Sequence, residues 1–221
     1  MVQDLLSVNW NLFEDINQPA GHEGLLDPMM VFAANDLIFL LPLLFLVLWF
    51  ALARWSPLAR RDSQSDAARM EGHIVLALAV VGVVIALGIN VLLGHLLFEP
   101  RPFISHPTLV HKLIAHAADA SFPSDHSAVA FAIATVLLAS ARVVAQRGVA
   151  RWLVAAIALI GVLSAVTIAF ARVYVGVHYP GDVIGGALCG IIGALIALAL
   201  TPLLTPLLTP IIRALGQVGL A

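Results

Sequence analysis

Two arginines, two histidines and an aspartate stand where long apolar stretches of this chain end. They fall in three short motifs. These are Glu99-Pro100-Arg101-Pro102-Phe103, Phe122-Pro123-Ser124-Asp125-His126-Ser127, and Arg172 followed by His178-Tyr179-Pro180-Gly181-Asp182. Arginine forks onto phosphate oxygens, and histidine moves protons near neutral pH or acts as a nucleophile. Charged groups in or beside bilayer segments are costly, so their clustering marks a functional site. The chemistry such a set suits is removal of a phosphoryl group from a lipid.

Each motif has its own local logic. Ser124 follows Pro123 and reads as a helix N-cap, which puts Asp125 and His126 in the first turn. Free N–H groups and the helix dipole attract phosphate there, and an imidazole in that place hands a proton to a leaving oxygen. An ordinary capping turn accounts for Ser124 and Asp125, but not for the histidine. Pro180 suits the first position of the next helix. Asp182 then lies in its first turn with His178 just before it, a carboxylate placed to orient one imidazole nitrogen. Arg101 is held between Pro100 and Pro102, whose rings restrict its backbone.

The elements that position these residues must be membrane helices. The chain is 61 % hydrophobic and 11 % charged, with a mean hydropathy of +1.01; a soluble domain carries about a quarter charged residues. With 221 residues there is room for one integral membrane domain over 1–221. Its core is expected at about 29–202, followed by a proline-rich tail at 203–221. A helix needs roughly 20 apolar residues to cross a bilayer, which predicts five spans, near 30–53, 74–98, 124–145, 152–171 and 182–202. The fold class is therefore all-α, a polytopic helix bundle. Residues 2–16 space Leu5, Leu6, Leu12, Phe13 and Ile16 as an amphipathic helix lying on the membrane surface.

With alternating loops, Arg54, Arg60, Arg61, Arg69, Arg142, Arg147, Arg151 and Arg213 fall on one side, and Arg101, Lys112 and Arg172 on the other. The positive-inside rule assigns the first side to the cytoplasm, so the motifs and the amino terminus face outward. All three motifs meet at the same membrane face.

Other features carry less chemistry. A net charge of −2 without a basic run argues against nucleic acid. Cys189 is the only cysteine, which excludes an intrachain disulfide. The first residues lack the order of a cleaved signal peptide, so entry depends on the internal spans. The 99–123 segment holds His106, His111, Lys112, His116 and Asp119; it reads as a solvated lid or substrate collar rather than a zinc site, whose ligand spacing it lacks. Gly181/Gly185 and Gly186/Gly190 allow close helix packing, within the bundle or in a homo-oligomer. Pro202, Pro206 and Pro210 are expected to kink or end a helix.

Together the motifs resemble those of the type-2 phosphatidic acid phosphatase superfamily: Lys-x6-Arg-Pro, Pro-Ser-Gly-His and Ser-Arg-x5-His-x3-Asp. Arg101-Pro102, Pro123-Ser124-x-His126 and Arg172-x5-His178-x3-Asp182 match in order and spacing. The small size, the Ser-Asp-His variant and the lead-in from Ile16 through Asp27 are similar to bacterial undecaprenyl-diphosphatases of the bacitracin-resistance type. Three positions depart from the pattern: Gly94 for the lysine, with His95 as a neighbouring substitute, Asp125 for glycine, and Ala171 for serine.

The resemblance implies a phosphohistidine mechanism without a cofactor. His178 attacks the terminal phosphorus and Asp182 orients it. His126 protonates the departing lipid phosphate and later activates water. Arg101, Arg172 and the Ser124 backbone hold the transferring group, with Asp125 beside it. No metal ligand set is assigned. The implied substrate is undecaprenyl diphosphate in the bacterial cell membrane; the alternatives are phosphatidylglycerophosphate, phosphatidate or diacylglycerol diphosphate. A transporter subunit is the reading from a different class, but it calls for polar residues at mid-membrane, and here the charges gather at one edge.

Overall fold

The computed structural model describes residues 2–54, 63–146 and 151–217. Arg60, Arg61 and Arg147, counted above for orientation, lie outside the described residues. Among the described residues the fold is helical without a strand: α1 (Val2–Asn17), α2 (Leu26–Asn35), a 3-10 turn (Leu37–Phe39), α3 (Leu40–Arg54), α4 (Ser63–Leu96), α5 (Pro102–Ser105), α6 (Asp125–Gln146), α7 (Arg151–Tyr174), α8 (Pro180–Ala199) and α9 (Thr201–Gln217). Met70–Leu96, Arg151–Tyr174 and Pro180–Ala199 are each long and apolar enough to cross a membrane. The 22-residue α6 supplies another bundle helix.

The span expected at 30–53 is broken. Leu26–Asn35 and Leu37–Ala51 meet at 48°, and the break falls at Asp36, where α2 ends. A helix end leaves its last carbonyls without intrahelical partners. One of them, Ala34 O, accepts a hydrogen bond from Arg172 at 3.4 Å. The bend thus brings the first span into contact with the third motif.

Helix α6 is the axis of the bundle, packing against α4, α7 and α8. Its inward positions are small: Ala128, Ala130, Ala132 and Ala134 are all buried. The glycines of α8 face it at a distance that admits no side chain. A Cβ on Gly186 would stand 2.3 Å from Ser124 O, and one on Gly190 would stand 2.3 Å from Ala128 O. On α8's other contact, a Cβ on Gly193 would lie 2.6 Å from Gly82 O of α4. In lipid, where tails are as apolar as leucine, such close backbone approach is what drives association. The large side chains point outward instead: Val80 and Val84 on α4, Leu159 and Leu163 on α7, Ile184 and Leu188 on α8. The α8 glycines therefore work inside the bundle.

At the proline-rich end one segment follows expectation and one departs from it. Helix α8 stops at Ala199, just ahead of Pro202, as the missing N–H requires. Pro206 and Pro210, however, lie inside a continuous α9. That helix packs on α4 and buries Ile212. Thr205 and Thr209 hydroxyls donate back to Thr201 O and Thr205 O at 2.7 Å. Tertiary packing outweighs the local preference.

Candidate active site

The carboxyl end of α4, the amino ends of α6 and α8 and the carboxyl end of α7 converge at one end of the bundle. The first turns of α6 and α8 are tied together directly, since Ser124 N donates to Asp182 O at 3.0 Å. The third motif turns tightly between α7 and α8. Gly176 has φ +80, and a Cβ there would meet His111 O at 2.7 Å, so this corner needs glycine.

His178 is only 2 % exposed. Its Nε2 lies 3.1 Å from Arg101 Nη1. A guanidinium offers donors only, so Nε2 is the acceptor and carries the lone pair. Nδ1 lies 3.4 Å from Asp182 Oδ2, a distance at the edge of an ion pair and outside hydrogen-bond geometry. Oδ2 is already held by the Tyr179 N–H at 2.8 Å and by the Ser121 hydroxyl. Asp182 is thus fixed by the protein's own donors. Burial, followed by the charges of Arg101 and Arg172, holds the His178 imidazole well below its ordinary pKa, so it stands neutral.

Arg101 caps α5 in an extended conformation (φ −64°, ψ 153°), as the following proline demands. Its Nη1 also donates to Val177 O at 2.9 Å, and its Nε to Asp119 Oδ1 at 2.7 Å. Arg172 is 1 % exposed, and beyond the long contact to Ala34 O its Nε and Nη2 are buried without partners. Buried donors are ordinarily satisfied. Here two charged donors remain without partners, together with the Ser124 hydroxyl. His126 is half-buried and within electrostatic range of Arg172, His178 and Arg101.

Two expected contacts take another form. Ser124 does not cap α6 with its hydroxyl, which is unpaired, and its N–H is taken by Asp182 O. The N–H groups of the first turn of α6 remain as the open backbone donors. Asp125 is exposed and accepts a hydrogen bond from Asn90 Nδ2 at 3.0 Å. It lines a cavity of about 480 Å3 with Asn90, Val91, Gly94, His95, Phe98, Asp119 and Phe122. His95, the neighbour of Gly94, is exposed and turns its Nδ1 onto Val91 O at 2.7 Å, so it does not replace a lysine.

Several groups around the site were not assigned from sequence. Ser121, directly ahead of the second motif, holds Asp182, and Asp119, three residues ahead of it and read from sequence only as part of the collar, holds Arg101. Glu99 is raised to about 7 by burial and then by the charge of Asp182. Helix α1, expected as a surface anchor, also braces the third motif. Asn9 Oδ1 accepts the Gly181 N–H at 2.8 Å. Asn17 donates to Tyr174 O (2.7 Å) and His111 O (2.9 Å) and accepts from His111 N (2.9 Å). The Trp10 ring lies 4.0 Å from that of His106, tilted by 40°. Among the described residues, no group of three or more His, Cys, Asp or Glu is placed to hold a metal ion.

Residues 73–206 match the PAP2 superfamily. The chain is 35 % identical to "Undecaprenyl-diphosphatase BcrC" of Bacillus subtilis, over 84 % of this chain and 80 % of the relative. It is 36 % identical to "Putative undecaprenyl-diphosphatase YbjG" of Escherichia coli, over 86 % of this chain and 80 % of the relative. The fold is similar to the crystal structure of Aquifex aeolicus LpxE, with a TM-score of 0.59 and 28 % identity, covering 87 % of this chain and 95 % of that one. Sequence relatives, fold and motif geometry agree, and the chain belongs to the PAP2 superfamily.

Proposed function

We propose that this protein is a multi-pass membrane lipid phosphatase that hydrolyses undecaprenyl diphosphate to undecaprenyl phosphate and inorganic phosphate, recycling the cell-wall lipid carrier. The observation that carries the reaction is the set of unpaired donors on Arg172 and Ser124 together with a neutral, buried His178 on which the Arg172 charge acts. That is a preformed hole for a phosphoryl group, aimed at a nucleophile. The substrate rests on the two similar diphosphatases.

His178 Nε2 attacks the terminal phosphorus, and Arg101 transfers its Nη1 donor from that nitrogen to an equatorial oxygen. The bond from phosphorus to the bridging oxygen breaks as the new N–P bond forms. His126 gives its proton to the departing lipid phosphate. Asp182 balances the charge that develops on the His178 ring. Water then attacks the phosphohistidine, His126 takes a proton from it, and the N–P bond breaks to release phosphate. Arg172 and the first-turn N–H groups of α6 stabilise the charge spread over the equatorial oxygens in both steps. The cavity with Val91, Gly94, Phe98 and Phe122 in its wall takes the first isoprene units. The arginine distribution supports a site facing outward from the bacterial cell membrane.

Purified protein in detergent should release phosphate faster from undecaprenyl diphosphate than from phosphatidylglycerophosphate, phosphatidate or diacylglycerol diphosphate. Terminally labelled substrate, quenched in alkaline detergent, should leave an acid-labile, base-stable phosphoprotein. His178→Ala should lose label and turnover together while keeping its thermal midpoint. Turnover retained in that variant rejects the nucleophile, and equal rates on the glycerolipids reject the substrate.

A further inference from the structure

A third histidine reaches the pocket with no part in the reaction as written. His116 comes from the collar between α5 and α6, and its ring centroid lies 6.2 Å from that of His178, edge to face. Its Nδ1 lies 3.2 Å from Ala117 O and 3.8 Å from Asp119 Oδ1. Asp119 in turn grips Arg101, which touches His178. Lys112 Nζ donates to His116 O at 3.3 Å, fixing the collar backbone at that point. With Nδ1 turned onto Ala117 O, Nε2 is left without a hydrogen-bond partner among the described residues.

We propose that His116 is a further phosphate-binding side chain of this pocket, supplying from the collar a cation of the kind that Gly94 leaves out of the first motif. The inference rests on the pocket being a phosphate site. Four groups face His116 from other elements: Arg101 at the start of α5, Arg172 on α7, His178 before α8 and His126 on α6. Asp119 faces it from its own segment. Burial and then the charges of Arg101 and Arg172 keep His116 below the usual histidine range, although its bond to Ala117 O acts the other way. A bound phosphate reverses that balance, because its negative charge offsets the guanidiniums. His116 then takes up a proton and donates Nε2–H to a phosphate oxygen.

The test uses the full chain in detergent, with inorganic phosphate as the competitive inhibitor and undecaprenyl diphosphate as substrate, between about pH 6 and pH 9. One charge-assisted hydrogen bond lost predicts that His116→Gln weakens phosphate inhibition and raises KM by about 10–100-fold at the acid end. The ratio of variant to wild-type inhibition constants should fall toward one at the alkaline end, where His116 is neutral even when phosphate is bound. The change in kcat should be smaller than the change in KM. His116→Asn serves as the second variant if Gln lowers the thermal midpoint. A ratio near one at every pH, in a folded variant, overturns the assignment of His116 and leaves the phosphatase intact. Wild-type protein that neither hydrolyses the lipid nor binds phosphate overturns both.

Discussion

Replacing Arg172 with methionine should move activity and stability in opposite directions. In the resting site the guanidinium has one long hydrogen bond, to Ala34 O at 3.4 Å, and two buried donors without partners. Hydrogen bonds to charged groups are worth about 1.5–3 kcal/mol each. If Nε and Nη2 both engage the transferring phosphoryl group, their loss removes about 3–6 kcal/mol of transition-state stabilisation. At about 1.36 kcal/mol per decade, kcat/KM should fall by roughly 10²–10⁴. The same two unpartnered donors cost the fold about 1–3 kcal/mol each in unrecovered solvation. Methionine fills similar volume without that cost, so the thermal midpoint in detergent should hold or rise. Lysine keeps the charge but not the planar fork, and should fall between wild type and methionine in kcat/KM. The assay is initial phosphate release at several concentrations of undecaprenyl diphosphate, with thermal unfolding measured on the same preparation. A midpoint that drops in step with activity would make Arg172 a structural cross-brace to α2. Activity kept within about tenfold would remove it from the phosphate pocket.

Asn17→Asp keeps the shape of the side chain but sets a carboxylate against Tyr174 O and His111 O, which Asn17 Nδ2 now serves. One buried and one half-buried carbonyl left unmatched should cost about 1–3 kcal/mol or somewhat more, and thermal unfolding in detergent reads the change directly; an unchanged midpoint would refute the bracing role of α1. A pH dependence follows from His178, whose folded pKa lies well below 6.5 because of burial and the nearby arginines. Below about pH 6.5 the unfolded chain binds a proton at this residue that the native state does not, so stability falls as pH falls and is flat in this group above that value. Thermal midpoints across about pH 5–8 should show that slope, and His178→Asn should reduce it by up to about 1.4 kcal/mol per pH unit; superimposable profiles would show that His178 is not held neutral in the folded state.

Much of the outline was legible in the linear order of residues. Apolar runs of bilayer length, broken by Arg101, Ser124, Arg172 and Pro180, mark where helices end. Those signals are local: a helix period, a proline without an N–H, a cap. They locate α4, α6, α7 and α8 and put the three motifs at helix ends facing one another. Contacts between distant residues carry no such signature. Arg101 meets His178 across 77 positions and Ser121 meets Asp182 across 61. The Ala34 carbonyl that receives Arg172 exists only because the first span breaks at Asp36. Asn17 joins α1 to the third motif across 157 positions. His116 has no helix or repeat to announce it, and enters the pocket only because the collar folds over the bundle end. Pro206 and Pro210 reverse a local expectation once α9 gains α4 to pack against. The order of the chain determined the helices and the chemistry at their tips. Packing of small residues, which sets how closely α6 and α8 approach, decided which polar atoms are satisfied and which stay open for phosphate.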